Sequence, residues 1–449
     1  MTSRRFPSLL FVSSLSISLL ACGSRSALDG TITASSGGSG GSTTTSTAGA
    51  GGATTTTTPT PTSTETLCSL LLSQPPVIAT PNGVARRPGL GAVAGTTTVM
   101  FGALYAEADG QHARFSTIKD PWTSWPPKIE STMAAPGFVV QDLAMSTGPT
   151  NALALVAVPG AVPYLMTLDE FSLTSDPFLS LGSGDILYVA GVEGVSIGAI
   201  KYLIQENDEK IEVGSFTPNG LPQSEPPTVC ISSKMHAAAA PKSTGFLSAV
   251  SMPGDLADIC LPMTPAKATR VAIMRYEAPS SPGGSLDVWA GDSFQETEPI
   301  QLLAMAPASF GGWVVYQTDG STSEQMPAIL AAPLNTSGYL VDGIPGPFAV
   351  SPEGVEWPYV GAAQLAGDAL AVAHVETIDP AAPAIVIQVA EPNGKLGPSL
   401  TIPTNGAWPT GRIELLPSPE GLSFLVAWET NEATQDRIAL ARVDCIAPI

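Results

Sequence analysis

The sequence predicts an all-β protein built from short antiparallel strands. Gly 44 and Pro 42 make 86 of the 449 residues, too many helix breakers for an all-α fold. Short apolar runs recur along the chain, and turns rich in glycine, proline and asparagine separate them. Seven prominent runs start on average about every 54 residues, a period that fits four-stranded blades. The expected fold is therefore a seven-bladed β-propeller, with a pair of β-sandwich domains as the alternative.

The seven prominent runs, here called the anchor strands, each belong to a repeated group of strands. They span residues 98–105, 152–158, 195–204, 245–251, 312–317, 369–375 and 422–428. A second apolar run precedes most anchor strands, and a third run follows after a polar turn, which is typical of antiparallel strands. Residues 253–300 fit this pattern least well, and we expect an insertion there. The chain carries no signature of a named propeller family.

The first 22 residues carry a targeting signal. Arg4 and Arg5 precede an apolar stretch, residues 6–20, that is too short to span a bilayer. The stretch ends in Leu19-Leu20-Ala21-Cys22, which resembles the lipobox of bacterial lipoproteins. The resemblance implies that residues 1–21 are a signal peptide, that cleavage precedes Cys22, and that this cysteine is acylated. An ordinary secretory signal with a chance cysteine is the alternative.

The same resemblance predicts where the protein is found. Gly23 occupies the position where lipoproteins of the inner membrane carry aspartate, so the outer membrane is favoured, on its periplasmic or its outer side. Residues 22–67 are expected to be a disordered tether, because Thr, Ser, Gly and Ala dominate and little apolar surface offsets chain entropy. Such a tether spans roughly 35–40 Å and links the lipid to a folded domain, residues 68–449.

The two ends of the folded domain are predicted to meet. The seventh unit stops after its third strand near residue 443, and residues 69–79 can supply the fourth strand. Such a closure removes exposed strand edges. Four cysteines in an exported domain predict disulfides, and we expect Cys68–Cys445 and Cys230–Cys260. Other pairings and a metal site are the alternatives, although no CxxC pair supports a metal.

Acidic residues recur in the turns after the anchor strands of six of the seven units. Equivalent turns of a propeller emerge on one face, so one face is expected to be acidic. The candidate residues of this face are Glu206, Asp208, Glu209, Glu429, Glu432 and Asp436. A face that binds Ca²⁺ or steers cations is one interpretation, and simple solubility is the other. No other metal or cofactor is expected.

Charge and motif content limit the function. Lys+Arg 19 against Asp+Glu 39 gives a net charge of −20, which argues against nucleic-acid partners. The three histidines fall in three different units and are interpreted as structural, and no catalytic motif is present. The first hypothesis is a monomeric, lipid-anchored and non-catalytic binding or scaffold protein whose partner is a protein or glycan. The alternative is an exported propeller enzyme that acts on glycans, or a quinone-dependent dehydrogenase.

Overall fold

A computed structural model describes residues 68–446 of the chain, apart from loop residues and two longer stretches. The residues outside the description within that range are 81–82, 94–95, 135–136, 138, 149–150, 170–171, 178–184, 193–195, 206–207, 217–227, 230–235, 243–244, 254–268, 278–286, 297–299, 319–326, 336–339, 345, 356–358, 380–381, 405–406 and 433–434. From residue 176 to residue 302, the strands are described by their backbone alone. The predicted signal peptide, Cys22, the tether, and the insertion expected within 253–300 lie largely or wholly outside the described residues.

The described chain is almost entirely β-strand. The strands are β1 (Ser69–Leu72), β2 (Val77–Ile78), β3 (Ala85–Ala92), β4 (Val99–Glu107), β5 (Gly110–Lys119), β6 (Lys128–Ala134), β7 (Asp142–Ser146), β8 (Ala152–Ala157), β9 (Tyr164–Leu168), β10 (Leu173–Pro177), β11 (Asp185–Val192), β12 (Ser196–Gln205), β13 (Asp208–Phe216), β14 (Thr228–Val229), β15 (His236–Lys242), β16 (Gly245–Pro253), β17 (Thr269–Glu277), β18 (Asp287–Glu296), β19 (Ile300–Ala308), β20 (Gly311–Thr318), β21 (Ile329–Asn335), β22 (Phe348–Ala349), β23 (Gly361–Gln364), β24 (Leu370–Asp379), β25 (Ala382–Ala390), β26 (Leu400–Pro403), β27 (Trp408–Pro417), β28 (Ser423–Glu432) and β29 (Gln435–Ile446). One short 3₁₀ helix, Ala366–Asp368, precedes β24.

These strands pair into antiparallel sheets, each built from strands that follow one another in the chain. Sheet 1 contains β3–β6, sheet 2 β7–β10, sheet 3 β11–β14, sheet 4 β15–β18, sheet 5 β19–β22, sheet 6 β23–β26, and sheet 7 β27–β29 with β1 and β2. Sheets 1, 2, 5, 6 and 7 are described with most of their side chains, and they are β-propeller blades with a path of four antiparallel strands, to which β2 adds a fifth strand in sheet 7. The fully described blades thus number five rather than the seven predicted, and sheets 3 and 4 are defined by strand pairing alone.

Each predicted anchor strand is the second strand of a sheet. These second strands are β4, β8, β12, β16, β20, β24 and β28. A second strand has a neighbour on either side, and its two faces pack against the adjacent sheets. In β8 all six residues are buried, which explains a continuous apolar run in place of an alternating one.

The ring closes through the chain ends, as predicted. β1 pairs with β29 in antiparallel register, from Ser69 opposite Ile446 to Leu72 opposite Val443. β2 pairs with the middle of the same strand. Cys68 and Cys445 form a disulfide with their Cα atoms 5.2 Å apart, so the predicted pairing of these two cysteines is present. Cys230 and Cys260 lie outside the described residues.

The hydrophobic cores lie between neighbouring sheets. One core joins sheets 6 and 7 around Trp428, another joins sheets 7 and 1 around Phe101, and a third joins sheets 5 and 6 around Trp313. Trp313 and Trp428 are among the largest fully buried side chains. Because burial of one large apolar side chain contributes about 1.5–3 kcal/mol, face-to-face stacking of the sheets holds the ring together.

The first strand of each sheet lines the centre of the ring. β19, β23, β27, β3 and β7 contact one another in this order. On β27 burial alternates: Thr410, Arg412 and Glu414 are partly or fully exposed, whereas the residues between them are buried. Since alternate residues of a strand face opposite sides, these three side chains point into the central channel. The end of the channel beside the turns between second and third strands is here called the channel mouth.

Candidate functional site at the channel mouth

Two interrupted strands build the channel mouth. The pairing of β3 with β4 shifts between Arg86 and Gly89, and the pairing of β27 with β28 shifts between Pro409 and Ile413. Bulges of this kind release backbone groups from the ladder and redirect side chains. Arg87 lies in the first bulge with φ at 53°, a left-handed conformation that is strained for arginine.

The strained backbone of Arg87 holds a buried carboxylate. Its N–H donates to Oε1 of Glu429 across 2.9 Å, and Glu429 is only 7% exposed. The other side of this carboxylate rests on Gly411, where an added Cβ would lie 2.3 Å from Oε2. A side chain at position 411 would therefore displace the carboxylate of Glu429 from this position. The two bulges together enclose one buried carboxylate between sheets 7 and 1.

The side chain of Arg87 contacts a second buried carboxylate. Its Nε lies 3.6 Å from Oδ1 of Asp142, the first residue of β7, and the side chain of Asp142 is 3% exposed. The same Oδ1 accepts a hydrogen bond of 2.9 Å from the N–H of Leu143. Because burial of an unpaired carboxylate is costly, these contacts explain how Asp142 can sit inside the ring.

Arg412 lies between these acids on the channel side of β27. Its Nε is 3.1 Å from Oε1 of Glu414, and its Nη1 donates to the carbonyl of Leu143 across 2.7 Å. Burial disfavours the charge on Arg412, but its neighbours outweigh burial and raise the pKa of the guanidinium. In decreasing order of effect, these neighbours are Glu414, Asp142, Glu429 and Tyr359.

Glu414 differs from the other two carboxylates. Burial raises the pKa of Glu414; Arg412 opposes the shift, and the charge of Asp142 adds to it. Its side chain is nevertheless 31% exposed. The direction of the shift means that Glu414 takes up a proton at a higher pH than an ordinary glutamate does.

Aromatic side chains form the rim of the mouth. Tyr359, just before β23, is 40% exposed, and Trp408, the first residue of β27, is 43% exposed. Beside them, Arg86 forms an ion pair with Asp436, whose Oδ1 also accepts from Asn431 across 3.0 Å. The mouth therefore combines accessible aromatic rings with arginines whose positions are fixed by buried acids.

The predicted acidic face is only partly described, and one of its members is misplaced. Glu429 was expected in an exposed turn, but β28 continues to Glu432 and buries it. Asp436 does lie beside that turn, in the ion pair with Arg86. Glu206 lies outside the described residues, and the structure gives only the backbone of Asp208, Glu209 and Glu432. Binding of Ca²⁺ by this face stays a prediction.

The first of the acidic turns contains a potential metal-ligand cluster. Glu107, Asp109 and His112 each offer a donor atom, and these atoms all lie within 4.8 Å of one another. His112 Nε2 contacts Asp109 Oδ1 at 2.9 Å, and this hydrogen bond lowers the pKa of Asp109. However, Arg114 already pairs with Glu107 at 2.5 Å. A cation would have to compete with this guanidinium, so the cluster is a poor metal site as it stands.

His374 fits the structural role expected of it. Its side chain is fully buried in β24, and its Nε2 lies 3.0 Å from Oε1 of Glu376. His112 sits on the hairpin just described, and the structure gives only the backbone of His236. The two histidines with described side chains lie in different sheets, and neither contributes to the channel mouth.

Sequence reasoning did not identify Arg87, Asp142, Arg412 or Glu414 as a group. A usable signal existed, because charged residues interrupt first-strand segments that otherwise contain small and apolar side chains. Their convergence depends on contacts such as that between Arg87 and Glu429, which are 342 positions apart in the chain.

No protein-family model matches the sequence, and no curated protein matches it. A subtype N11 neuraminidase-like protein of A/flat-faced bat/Peru/033/2010 (H18N11) is 8% identical with a TM-score of 0.40, over 85% of this chain and 94% of that one. The acylaminoacyl peptidase of Pyrococcus horikoshii is 10% identical with a TM-score of 0.45, over 80% and 51%. The β-propeller domain of the Trilobed protease of Pyrococcus furiosus is 8% identical with a TM-score of 0.43, over 80% and 94%. Likenesses this weak carry no argument about function.

Among the described residues, no helix has the length and apolarity that a membrane span requires.

Proposed function

We propose that this chain is a lipid-anchored protein of the bacterial cell envelope whose propeller binds a partner, without catalysis, at the channel mouth. One observation carries the binding role: exposed Trp408 and Tyr359 lie on the rim of a mouth whose arginines are already held in place. Tryptophan, tyrosine and arginine are the residues that most often dominate binding energy at interfaces.

The pairing of the mouth residues favours binding over catalysis. Asp142 and Glu429 each accept a backbone N–H, and Glu414 pairs with Arg412. An enzyme with two carboxylates needs one of them free to act as a base or nucleophile. Here the acids serve to fix the arginines, which is what a rigid recognition surface requires.

The proposal includes a complete ring of seven blades. It is supported by the contacts of the first strands, which run from β3 through β7, β11, β15, β19 and β23 to β27 and back to β3. β1 begins opposite Ile446, at the end of sheet 7 that is remote from the mouth. A lipid anchor that enters there leaves the channel mouth free to meet a partner.

The anchor is tested by Cys22→Ser. The lipobox resemblance predicts loss of palmitate labelling and release of the protein from membranes, because the acylated thiol is gone. Ser24→Ala, two residues beyond Cys22 in the tether, is a matched control, and it should keep both the label and the membrane fraction. Membrane association of Cys22→Ser at high salt would contradict the proposal.

The binding face is tested by site-specific photocrosslinking in cells. A photoreactive residue at Trp408 should yield a discrete crosslinked product, whereas the same residue at exposed Leu396, in the turn between β25 and β26 on the opposite face, should not. The double variant Tyr359→Ala Arg412→Ala should reduce the yield from position 408. Equal crosslinking at both positions, or a product that is insensitive to the double variant, would contradict binding at the channel mouth.

One observation favours the enzymatic alternative on glycans. Burial raises the pKa of Glu414, and a protonated carboxyl is what a glycosidase uses as its general acid. Hydrolysis of chromogenic glycosides that is abolished by Glu414→Gln would establish that function, and absence of hydrolysis across the panel would leave the binding role. The described residues offer no observation in favour of a quinone-dependent dehydrogenase.

A further inference from the structure

A cavity of about 470 Å³ opens where sheet 7 meets sheet 1, on the face opposite the channel mouth. Three turns and the end of β29 build it: the turn before β4, the turn after β5 that carries Trp122, and the turn between β27 and β28. Its volume lies within the range of pockets that bind small molecules. It is here called the closure cavity, because the last strand of the ring forms one wall.

The closure cavity has an apolar wall that water can reach. Leu422 is 54% exposed and Ile446 is 44% exposed, and both rank among the exposed large apolar side chains of the described residues. Trp122, half-buried, also lines the cavity. A flat ring next to aliphatic side chains suits a ligand with one apolar face.

The opposite wall is polar and its groups are held in position. Arg442 Nε donates to Asp444 Oδ1 across 2.8 Å, and Arg442 Nη1 donates to the carbonyl of Pro121 across 3.3 Å. Asp444 Oδ2 accepts from Ser73 Oγ at 2.6 Å. A guanidinium has five N–H groups, so these two bonds leave Arg442 able to donate further. A fixed donor beside a fixed acceptor matches a pair of adjacent hydroxyl groups.

The turn that carries Trp122 is itself constrained. Asp120 has φ at 47°, a left-handed conformation that is strained for aspartate. Its Oδ1 accepts from Thr97 Oγ1 at 2.9 Å, and its carbonyl accepts from the N–H of Thr123 at 3.1 Å. The indole is therefore presented by a turn whose shape is fixed before any ligand arrives, which reduces the ordering cost of binding.

We propose that the closure cavity binds a neutral saccharide, with one sugar face stacked on Trp122 and adjacent hydroxyls on Arg442 and Asp444. The charges select the class of sugar. Arg442 is offset by Asp444 and Glu420, and the chain as a whole carries −20. Acidic sugars and phosphates would be repelled, whereas a neutral ring needs only the stacking and hydrogen bonds that the walls provide. This inference does not depend on the channel mouth.

The test is calorimetric titration of the full chain in a detergent without a sugar headgroup. The probes are maltose, cellobiose and N,N′-diacetylchitobiose, with digalacturonate as the acidic comparator. At least one neutral probe should bind saturably, and digalacturonate should not. Trp122→Ala should weaken binding about tenfold, as expected for the loss of one stacking contact.

Two further variants keep the result interpretable if Trp122→Ala perturbs folding. Leu422→Asp changes an exposed wall residue, so it should leave the melting temperature nearly unchanged and still weaken saccharide binding. Trp408→Ala removes an exposed indole from the channel mouth and should leave saccharide binding intact. The proposal is overturned if no neutral probe binds, if only digalacturonate binds, or if Trp408→Ala alone abolishes binding.

Discussion

Sheets 7 and 1 contribute to both the channel mouth and the closure cavity, at opposite ends, yet the chemistry of the two sites differs. At the mouth, bulges in the innermost strands bring arginines against buried carboxylates. At the cavity, turns and the last strand leave hydroxyls, one ion pair and exposed apolar side chains facing solvent. The comparison shows that position within the sheet governs chemistry here: inner strands must neutralise the charges they bury, whereas outer turns need not.

The same difference sets how each site responds to mutation. Charges at the mouth are desolvated, so a change that disturbs one of them leaves a buried partner unsatisfied. Exposed side chains of the cavity, such as Leu422, are accessible to water, and their replacement costs little folding energy. Substitutions at the mouth should therefore change stability, and substitutions in the cavity should mainly change binding.

The largest effect is expected from opening the ring. The disulfide joins residues separated by 377 positions, and its loss should destabilise the fold by up to about 5 kcal/mol, because the unfolded chain regains entropy. Chemical denaturation of Cys68→Ser Cys445→Ser should show a lower midpoint than that of Cys22→Ser, which removes a cysteine outside the folded domain. Since Cys445 adjoins the closure cavity, saccharide binding should fall while crosslinking at Trp408 persists. An unchanged midpoint would mean that β-pairing alone closes the ring.

A smaller effect is expected from a change at Gly411, which contacts the buried carboxylate of Glu429. Gly411→Ala places a methyl group against the carboxylate and should cost about 1–3 kcal/mol of unfolding free energy. Thr410→Ala, one residue away and exposed, should stay within about 0.5 kcal/mol of the parent. In a double-mutant cycle, Glu429→Ala should cost less in the Gly411→Ala background, because removal of the carboxylate also relieves its clash with the new methyl group. Additive costs would show that Gly411 and Glu429 do not interact energetically.

The smallest effect concerns the proton on Glu414. Because burial raises its pKa above the ordinary 4.5, the folded state binds more protons than the unfolded state, and stability falls as pH rises through that interval. Glu414→Gln should therefore raise the free energy of unfolding near about pH 7 by less than about 1 kcal/mol, and this advantage should be lost near about pH 4, as measured by chemical denaturation at the two pH values.

Glu130→Gln provides a control with the opposite sign. Hydrogen bonds from Lys128 and Lys119 lower the pKa of Glu130 to about 2. This carboxylate contributes its stability above its unfolded pKa and loses it as pH falls through the folded value. Its replacement should therefore not stabilise the protein near neutral pH. Equal behaviour of the two variants would show that Glu414 has no special environment.

Much of the fold could be predicted because second strands are buried on both faces. That burial produces continuous apolar runs such as residues 152–158, and the turns between runs mark the strand ends. Ring closure could also be predicted from the sequence, because the last unit lacks a fourth strand and residues 69–79 are apolar. The length of β28 could not be predicted from the sequence. Only residues 433–434 separate β28 from β29, so Glu429 lies within the strand and is buried, where an exposed turn was expected.

The candidate sites were hidden for a different reason. Arg87 meets Glu429 only because two bulges face each other across sheets 1 and 7, and no local pattern marks a bulge. The closure cavity likewise gathers Thr97, Trp122, Leu422 and Ile446 from turns and a strand end far apart in sequence. Periodicity reports which face of a strand is buried, but it does not report which distant side chains converge.

The pairing of β1 with β29 also has a consequence for the timing of synthesis. Their cysteines are separated by 377 positions, which corresponds to a delay of roughly 20–75 s at the usual rate of translation. By the end of that interval, every sheet but the seventh has all of its strands, while β1 still has no partner. A chain that terminates before β29 is therefore an open ring, however complete its other sheets are. Pairing of β1 therefore requires a chain that has been synthesised through β29, and until then the hydrogen-bonding edge of β1 stays exposed.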